Sequence, residues 1–331
     1  MADKLKLLFV DDDSNILSGL RRMFRSKRAE WDMRFACGGE EALEDLSEHA
    51  ADVVVSDMKM PDIDGATLLK IVAERYPTTK RIVLSGQAHK NKLVQVAGFA
   101  HQFLSKPCQQ SEMVDTLTQL GALPRSGRLD NLSGLSGVYC QRSECQRLMT
   151  LLDESNPSEI DLVTAISGDI GLSAKVFQLT ATSFFSAPVR FGDLRQSLNA
   201  LGVEQLRSLL SQDVVFRCTS CFEEESKIAE INRQYIREAK ALEAACAQAD
   251  SQTAERAYFQ GLLRGVGTLG LMERVDASIA AVESRQIAEA TRFLLQMWGI
   301  QMEEVEPTLV VPATLDGVDR VIDAVESLTG S

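Results

Sequence analysis

Five short apolar runs alternate with segments of helical spacing over about the first 120 residues of this 331-residue chain. Between the runs, apolar residues recur at helical intervals, as Ile16, Leu20 and Phe24 do. Such alternation of strand and helix predicts an α/β fold, a parallel five-stranded sheet with helices on both faces. The predicted strands are residues 5–10, 33–36, 53–56, 81–84 and 102–105.

Charged and hydroxyl side chains follow four of these runs. Asp11 and Asp12 follow the first run, Asp57 the third, Ser85 the fourth and Lys106 the fifth. In parallel sheets, ligands bind outside the carboxyl ends of the strands, so these side chains are expected to converge. Carboxylates gathered at low dielectric repel one another unless a cation neutralises them, and Mg²⁺ takes oxygen ligands. The pattern therefore predicts a magnesium site at this edge.

Four motifs carry a family resemblance over residues 1–121. The segments LLFVDDDSN, VVVSDMKMPDIDG, RIVLSGQ and FLSKP resemble those of a response-regulator receiver domain, in order and at the expected spacing. The resemblance implies a flavodoxin-like, doubly wound fold. It implies that Asp57 is the phosphoacceptor, that Ser85 and Lys106 contact the phosphoryl group, and that a cis peptide precedes Pro107.

The same resemblance implies a ligand set and a switch residue. Mg²⁺ would be held by Asp11, Asp12, Asp57 and the backbone carbonyl of Lys59. Phe103 occupies the switch position, where many receivers have tyrosine. A third acid, Asp13, is interpreted separately as a helix N-cap or an acid of the first helical turn, because carboxylates are favoured at both places.

The chain changes character after a short polar stretch. GALPRSGRLDNLSGLSG is rich in glycine, serine and proline, which predicts a linker over residues 122–135. From residue 136 to 331, strand-like alternation disappears and helical spacing dominates. We expect an all-α domain of about eight to ten helices there.

The second half also resembles a known family. The run ISGDIGLSAKVFQLTATSFFSAPVRFGDLRQSLNALG is similar to the core of an HDOD domain, a relative of the metal-dependent HD phosphohydrolases. The segment GLLRGVG resembles the helix that carries the His-Asp pair in active HD enzymes, but it has Arg264 and Gly265 at those positions. All three histidines of the chain lie before residue 121. Because such an enzyme needs imidazole and carboxylate ligands, we expect a non-enzymatic output domain.

These observations together predict a two-component response regulator in a phosphorelay. Its expected partners are a sensor histidine kinase or a phosphotransfer protein, and a downstream signalling protein that binds the helical domain. One form of this hypothesis makes that target a signalling enzyme such as a cyclic-dinucleotide phosphodiesterase. The oligomeric state stays open, with a homodimer as one option.

Two other classes of function are alternatives to this prediction. The helical domain would be a metal-dependent phosphohydrolase of a cyclic dinucleotide if acids such as Asp169, Asp213 or Asp250 replaced the missing histidines. A DNA-binding regulator is disfavoured by the net charge of −12, because nucleic-acid binding needs clustered lysine and arginine.

Composition and cysteine usage add three expectations. No apolar stretch is long enough to cross a membrane and no export signal is recognised, so a cytoplasmic protein with reduced thiols is expected. Cys218 and Cys221 form a CxxC motif, which is interpreted as two ordinary helical cysteines. The glycines of residues 261–270 are interpreted as sites of close helix packing rather than a phosphate loop.

Overall fold

The structure is a computed structural model that describes most of the chain. The described residues are 4–86, 93–123, 129, 132–154, 156–181, 189–212, 214–219, 221–246, 250–274 and 284–301. They divide into two compact units. Of the described residues, the first unit contains those from 4 to 136 together with 296–299, and the second contains those from 137 to 181, from 189 to 295, and 300–301.

The first unit is built on a five-stranded parallel sheet in the order β2-β1-β3-β4-β5. The strands are β1 (Leu5–Val10), β2 (Trp31–Ala36), β3 (Val53–Asp57), β4 (Lys80–Gly86) and β5 (Gln102–Lys106). The strand order reverses between β1 and β3, which creates a crevice outside their carboxyl ends. The predicted α/β sheet is therefore confirmed.

Helices connect these strands. They are α1 (Ser14–Met23), a short 3₁₀ helix (Arg25–Ala29), α2 (Gly39–Glu48), α3 (Gly65–Arg75), α4 (Leu93–Val96) and α5 (Gln110–Ala122). Asp13 is the N-cap of α1, as predicted, and its side chain accepts a hydrogen bond of 2.8 Å from the Asn15 N–H. This cap satisfies one of the free amides of the first turn.

The helical spacing of Ile16, Leu20 and Phe24 matches the buried face of α1 only in part. Ile16 is 37% exposed, whereas Leu17, Leu20 and Phe24 are buried. Positions 16 and 17 both lie at helical spacing from Leu20, so periodicity alone could not choose between them. The side of the helix that packs on the sheet decides in favour of Leu17.

An aromatic stack fills the core beside β1. The Phe9 ring stacks on Phe24 and on Phe35, with ring centroids 5.6 Å and 5.4 Å away.

All five residues of β3 are buried. A strand covered on both faces has no solvent-facing side, which explains why Val53, Val54 and Val55 follow one another without alternation.

The second unit is helical. Nine helices follow α5 in the part of the chain that the structure describes, within the predicted range of eight to ten. They are α6 (Arg142–Leu152), α7 (Glu159–Ser167), α8 (Ile170–Thr180), α9 (Leu194–Leu201), α10 (Val203–Leu210), α11 (Phe222–Ala245), α12 (Ser251–Leu263), α13 (Gly265–Arg274) and α14 (Ser284–Met297). Every residue of α8 is buried. Helices α7, α9, α12 and α13 pack against it.

Two glycines permit close approach of these helices. A Cβ added at Gly261 would lie 2.7 Å from the Cα of Ala239 in α11, and one at Gly267 would lie 2.3 Å from the carbonyl oxygen of Ile287 in α14. The predicted packing role of this glycine-rich stretch is confirmed. No helix in the described ranges has the length and apolar character needed to cross a membrane.

The CxxC motif is not helical, which corrects the prediction. Cys218 lies in an extended segment before α11, and Cys221 is the N-cap residue of that helix. The segment is extended because Tyr139 and Arg217 form an isolated parallel bridge. That contact joins residues far apart in sequence, so local spacing could not reveal it.

Candidate functional site

Lys106, the last residue of β5, contacts two acids at the carboxyl end of the sheet. Its Nζ donates a hydrogen bond of 2.6 Å to Asp11 Oδ2 and also contacts Asp57 Oδ1. Asp57 is the last residue of β3 and Asp11 directly follows β1, so the reversal of strand order brings the two carboxylates to one crevice. Both acids are buried.

The positive charge of Lys106 interacts favourably with the carboxylates of Asp11 and Asp57. Burial acts to lower the pKa of Lys106, but hydrogen bonds to Asp11 and Asp57 and the charges of both acids outweigh it, so the pKa of Lys106 is raised. The ammonium therefore stays protonated and offsets the repulsion between the carboxylates. The peptide between Lys106 and Pro107 is cis, as the resemblance implied.

Backbone and hydroxyl groups fix the orientation of Asp57. The Lys59 N–H donates a hydrogen bond of 2.7 Å to Asp57 Oδ2, and Ser56 Oγ donates one of 2.8 Å to the Asp57 carbonyl. One carboxylate oxygen thus faces Lys106 and the other faces the turn after β3. The Lys59 side chain is exposed.

Asp12 stands apart from this pair. It is exposed, whereas Asp11 accepts a hydrogen bond of 3.0 Å from the Asp13 N–H. Within the described ranges, no three His, Cys, Asp or Glu side chains are grouped so that they could hold one ion. Mg²⁺ nevertheless keeps several waters and is often bound through one or two carboxylates, so the Asp11–Asp57 pair fits it without direct contact by Asp12.

Ser85 presents a hydroxyl to the same end of the sheet. It is the next-to-last residue of β4 and only 1% exposed. Among the residues that the structure describes, its Oγ has no hydrogen-bond partner. An unpartnered buried hydroxyl is costly, and native proteins tolerate one mainly where a ligand or water can satisfy it. This orphaned donor suits an oxygen-rich ligand.

Phe103 lies on the same face of the sheet as Ser85. The register pairs Val83 with Phe103 and Ser85 with Ser105, and paired residues in a parallel ladder point to the same face. The Phe103 ring is fully buried. Phe103, the predicted switch residue, therefore lies two positions before Ser105. Ser105 is paired with Ser85, the predicted phosphoryl contact.

The helical unit has a different arrangement of its acids. Asp169, the N-cap of α8, is fully buried and accepts hydrogen bonds of 2.8 Å from the N–H groups of Leu172 and Gln141 and from Asn232 Nδ2. Burial raises its pKa to about 6, against the lowering effect of these donors. Asp250 is an exposed N-cap of α12, and Asp213 lies outside the described residues.

The positions aligned with the His-Asp pair are filled by helix packing. Arg264 is the C-cap of α12 and Gly265 begins α13. A Cβ added at Gly265 would lie 2.5 Å from Ile170 Cδ1 and 2.7 Å from Tyr235 Cδ2. There is no space at Gly265 for a carboxylate side chain.

A known protein family matches each half of the chain. The family model described as the response regulator receiver domain matches residues 7–118, and the model described as the HDOD domain matches residues 142–310, just over half of the chain. The chain belongs to the HDOD family. Its N-terminal part is a response regulator receiver domain.

Two curated relatives each match part of this chain. NtrC of Proteus hauseri, described as a DNA-binding transcriptional regulator, is 28% identical over 170 residues, which cover 49% of this chain and 35% of NtrC. The transcriptional regulatory protein TrcR of Mycobacterium tuberculosis is 29% identical over 127 residues, covering 38% of this chain and 48% of TrcR. The matched region thus spans less than half of each of these relatives.

One solved structure is similar to part of this chain. It is the signal receiver domain of an HD domain-containing protein from Pseudomonas fluorescens Pf-5, which is 28% identical to this chain. The match covers 36% of this chain and 94% of that one, with a TM-score of 0.34.

The receiver site also depends on a residue that the sequence analysis missed. Gly65, the first residue of α3, lies so close to Asp57 that an added Cβ would be 2.0 Å from the Asp57 carbonyl oxygen. The Gly65 N–H donates a hydrogen bond of 3.2 Å to the Met58 carbonyl. Its place in the PDIDG motif was visible in the sequence, but the contact across the turn was not.

Proposed function

We propose that the receiver domain accepts a phosphoryl group on Asp57 and that this modification controls a non-catalytic HDOD output domain. The contact of Lys106 Nζ with both Asp11 and Asp57 carries this proposal. It places a permanent positive charge beside the carboxylate that would react. The proposed donor is a sensor histidine kinase or a phosphotransfer protein.

The proposed reaction is a simple displacement. A carboxylate oxygen of Asp57 attacks the phosphorus of a phosphohistidine, the P–N bond breaks, and the imidazole nitrogen leaves with the bonding electron pair. Lys106 stabilises charge on the transferring group, and Ser85 Oγ is available to donate to one of its oxygens. The Lys59 N–H holds Asp57 in place during the attack.

The acids of this site would hold Mg²⁺. Asp11 and Asp57 would contribute carboxylate oxygens, and we further propose the Lys59 carbonyl and Asp12 as ligands, Asp12 through water. When bound, the ion would neutralise negative charge as the phosphoryl group approaches the carboxylates.

The proposed route out of the site begins at Ser85. The phosphoryl group adds a charge of about −1.5 to −2 at neutral pH, which attracts the Ser85 hydroxyl. Phe103 shares the face of the sheet with Ser85, so movement of the hydroxyl changes the packing that surrounds this ring. Because Phe103 lacks a hydroxyl group, switching would depend on ring packing alone.

We further propose that the HDOD domain acts by binding a downstream signalling protein rather than by catalysis. Gly265 packs against Ile170 and Tyr235 where a metal-binding carboxylate would be needed. Asp169 is occupied by three donors, so it has a structural role as a buried cap. Both observations support loss of the phosphohydrolase site. The proposed division of the chain is 1–121 for the receiver, 122–135 for the linker and 136–331 for the output domain.

Phosphoryl transfer tests the first part of the proposal. The full chain is incubated with Mg²⁺ and a phosphorylated histidine phosphotransfer protein carrying labelled phosphate. We expect label on the wild-type chain and none on Asp57→Asn. The matched control is Asp62→Asn, which changes a nearby exposed acid and should keep full labelling. Equal labelling of both variants would refute the assignment of Asp57.

Hydrolysis assays test the second part. The full chain is incubated with cyclic di-GMP and Mn²⁺ or Fe²⁺, with and without phosphorylation by acetyl phosphate. We expect no turnover in either state. Turnover by the folded chain that survives Asp57→Asn would establish the phosphohydrolase alternative.

A further inference from the structure

Two thiols of the helical unit lie in direct contact although they are far apart in sequence. Cys145 Sγ and Cys218 Sγ are 3.3 Å apart and separated by 73 positions. Cys145 belongs to the first turn of α6, and Cys218 lies in the extended segment that precedes α11. Both side chains are half-buried, so small molecules in solvent can reach them.

Independent hydrogen bonds hold these two segments together on either side of the thiols. The Cys140 N–H donates to the Arg217 carbonyl over 2.8 Å, next to the parallel bridge between Tyr139 and Arg217. The Arg142 side chain donates twice to the Thr219 carbonyl, over 2.8 Å and 3.3 Å. The thiol contact is thus fixed by the backbone that surrounds it.

We propose that Cys145 and Cys218 are a redox-modification site that hydrogen peroxide converts to a disulfide. A disulfide bond is about 2.0 Å long, so the sulfurs must approach by roughly 1.3 Å. In compartments where thiols are kept reduced, the disulfides that do form are usually transient and either catalytic or redox-sensing. The CxxC motif thus contributes one cysteine to a pair formed across the fold rather than within the motif.

The chemistry balances with peroxide as the only oxidant. The thiolate of one cysteine attacks a peroxide oxygen, the O–O bond breaks, and a sulfenic acid and hydroxide form. The second sulfur then attacks the sulfenic sulfur, the S–S bond forms, and the sulfenic oxygen leaves as water after protonation. In total, two thiols lose two protons and two electrons, and one peroxide takes them up and becomes two waters.

A third thiol, Cys140, lies five positions before Cys145 and is the competing candidate for its disulfide partner. Cys140 is only 1% exposed, and burial raises its pKa to about 11. Donation of a hydrogen bond to Cys140 is the largest cause that raises the pKa of Cys145, and donation to Cys145 is the largest cause that raises the pKa of Cys218. All three stay thiols at neutral pH, so oxidation needs excess peroxide. Exposure favours Cys218 over Cys140 as the partner of Cys145.

Peptide mapping tests the pairing in the full chain. Trypsin places Cys145 in the peptide 143–147, Cys140 in the peptide 129–142, and both Cys218 and Cys221 in the peptide 218–227. The experiment therefore uses Cys221→Ser, which makes the peptide 218–227 report on Cys218 alone. Samples are treated with excess hydrogen peroxide, free thiols are blocked, and linked peptides are measured by mass spectrometry.

We expect peptides 143–147 and 218–227 to become linked, with loss of two hydrogens, in wild type and in Cys221→Ser. The link should disappear in Cys145→Ser and after reduction with dithiothreitol. A dominant link from 143–147 to 129–142 would overturn the proposal, as would the absence of any link in the folded wild-type chain. The wild-type result stands even if a variant fails to fold.

Thermal unfolding supplies a second readout. A disulfide that joins segments 73 positions apart restricts the unfolded chain, so the oxidised protein should melt at a higher temperature, by about 5 °C or more. Cys221→Ser should show the same rise, and Cys218→Ser should show none. An equal rise in Cys218→Ser would contradict the assignment.

Discussion

Lys106 Nζ donates a hydrogen bond of 2.6 Å to Asp11 Oδ2 while it contacts Asp57 Oδ1. One ammonium group therefore connects the carboxyl ends of three strands, β1, β3 and β5. Since Asp11 and Asp57 are both buried, this positive charge has two effects. It reduces the repulsion between the acids, and it places a cation where a phosphoryl group would arrive.

Replacement of Lys106 should slow phosphorylation without removing the acceptor. Loss of a positioned charge that stabilises a transition state typically costs about 100-fold in rate, and we expect a loss of that order for Lys106→Met with acetyl phosphate and Mg²⁺. Quench-flow labelling of Asp57 measures the rate. The matched variant Lys70→Met changes an exposed lysine of α3 and should keep the wild-type rate. Equal rates for the two variants would contradict a role for Lys106.

Gly65→Ala should destabilise the receiver domain. The added Cβ would lie 2.0 Å from the Asp57 carbonyl oxygen, so the backbone of the phosphoacceptor must shift. We expect a loss of about 1 to 3 kcal/mol in the free energy of unfolding, together with slower phosphorylation. Urea denaturation followed by circular dichroism measures the first effect. Gly19→Ala in α1 is the control, because nothing lies within 4 Å of its added Cβ, and it should be neutral or stabilising.

Asp169→Ala should be among the most damaging substitutions in the HDOD domain. It leaves three donors without an acceptor, those of Leu172, Gln141 and Asn232. Because these groups are buried, the expected cost is about 3 to 5 kcal/mol. Asp250→Ala removes another helix N-cap, but at an exposed site where water can replace the carboxylate. Denaturant titration should therefore show a much smaller loss for Asp250→Ala, and similar losses would contradict this account.

The stability of the chain should increase with pH because of Lys175. Its ammonium is buried, and desolvation lowers the pKa of Lys175 to about 7. An unfolded lysine keeps its proton up to about pH 10.4. Between these values the unfolded state binds more protons, so the free energy of unfolding rises with pH. We expect a gain of about 1 to 2 kcal/mol between about pH 7 and pH 8.5.

Paired variants isolate this contribution of Lys175. Thermal melts across the same pH range should lose the gain in Lys175→Met and retain it in Lys240→Met, since Lys240 is exposed on α11. An unchanged pH dependence in Lys175→Met would show that another group titrates.

The sequence predicted the receiver sheet well because a parallel sheet is buried on both faces. The strand at 5–10 was predicted with its observed ends, whereas β3 and β5 each extend one residue further, to Asp57 and Lys106. The hydrogen bonds between strands continue past the apolar residues, so hydrophobicity alone does not predict where these strands end. Strand order then explains why Asp11, Asp57 and Lys106 meet.

Contacts between distant residues were harder to predict. Ile16 satisfied the helical period of α1, yet the sheet packs against Leu17. The close approach of Gly65 to Asp57 and the contact of Cys145 with Cys218 each depend on chain segments that meet only in the folded state. Residue spacing indicates local structure only, so contacts of this kind are found only in the three-dimensional structure.

Direct identification of the modified residue tests the central claim. The full chain is incubated with Mg²⁺ and acetyl phosphate, and mass spectrometry assigns the phosphoryl group among the acids of the tryptic peptide 35–59, which contains Asp57. We predict modification of Asp57 alone, and none when a chelator removes Mg²⁺. Modification of a different acid, or equal modification with the chelator present, would contradict the account.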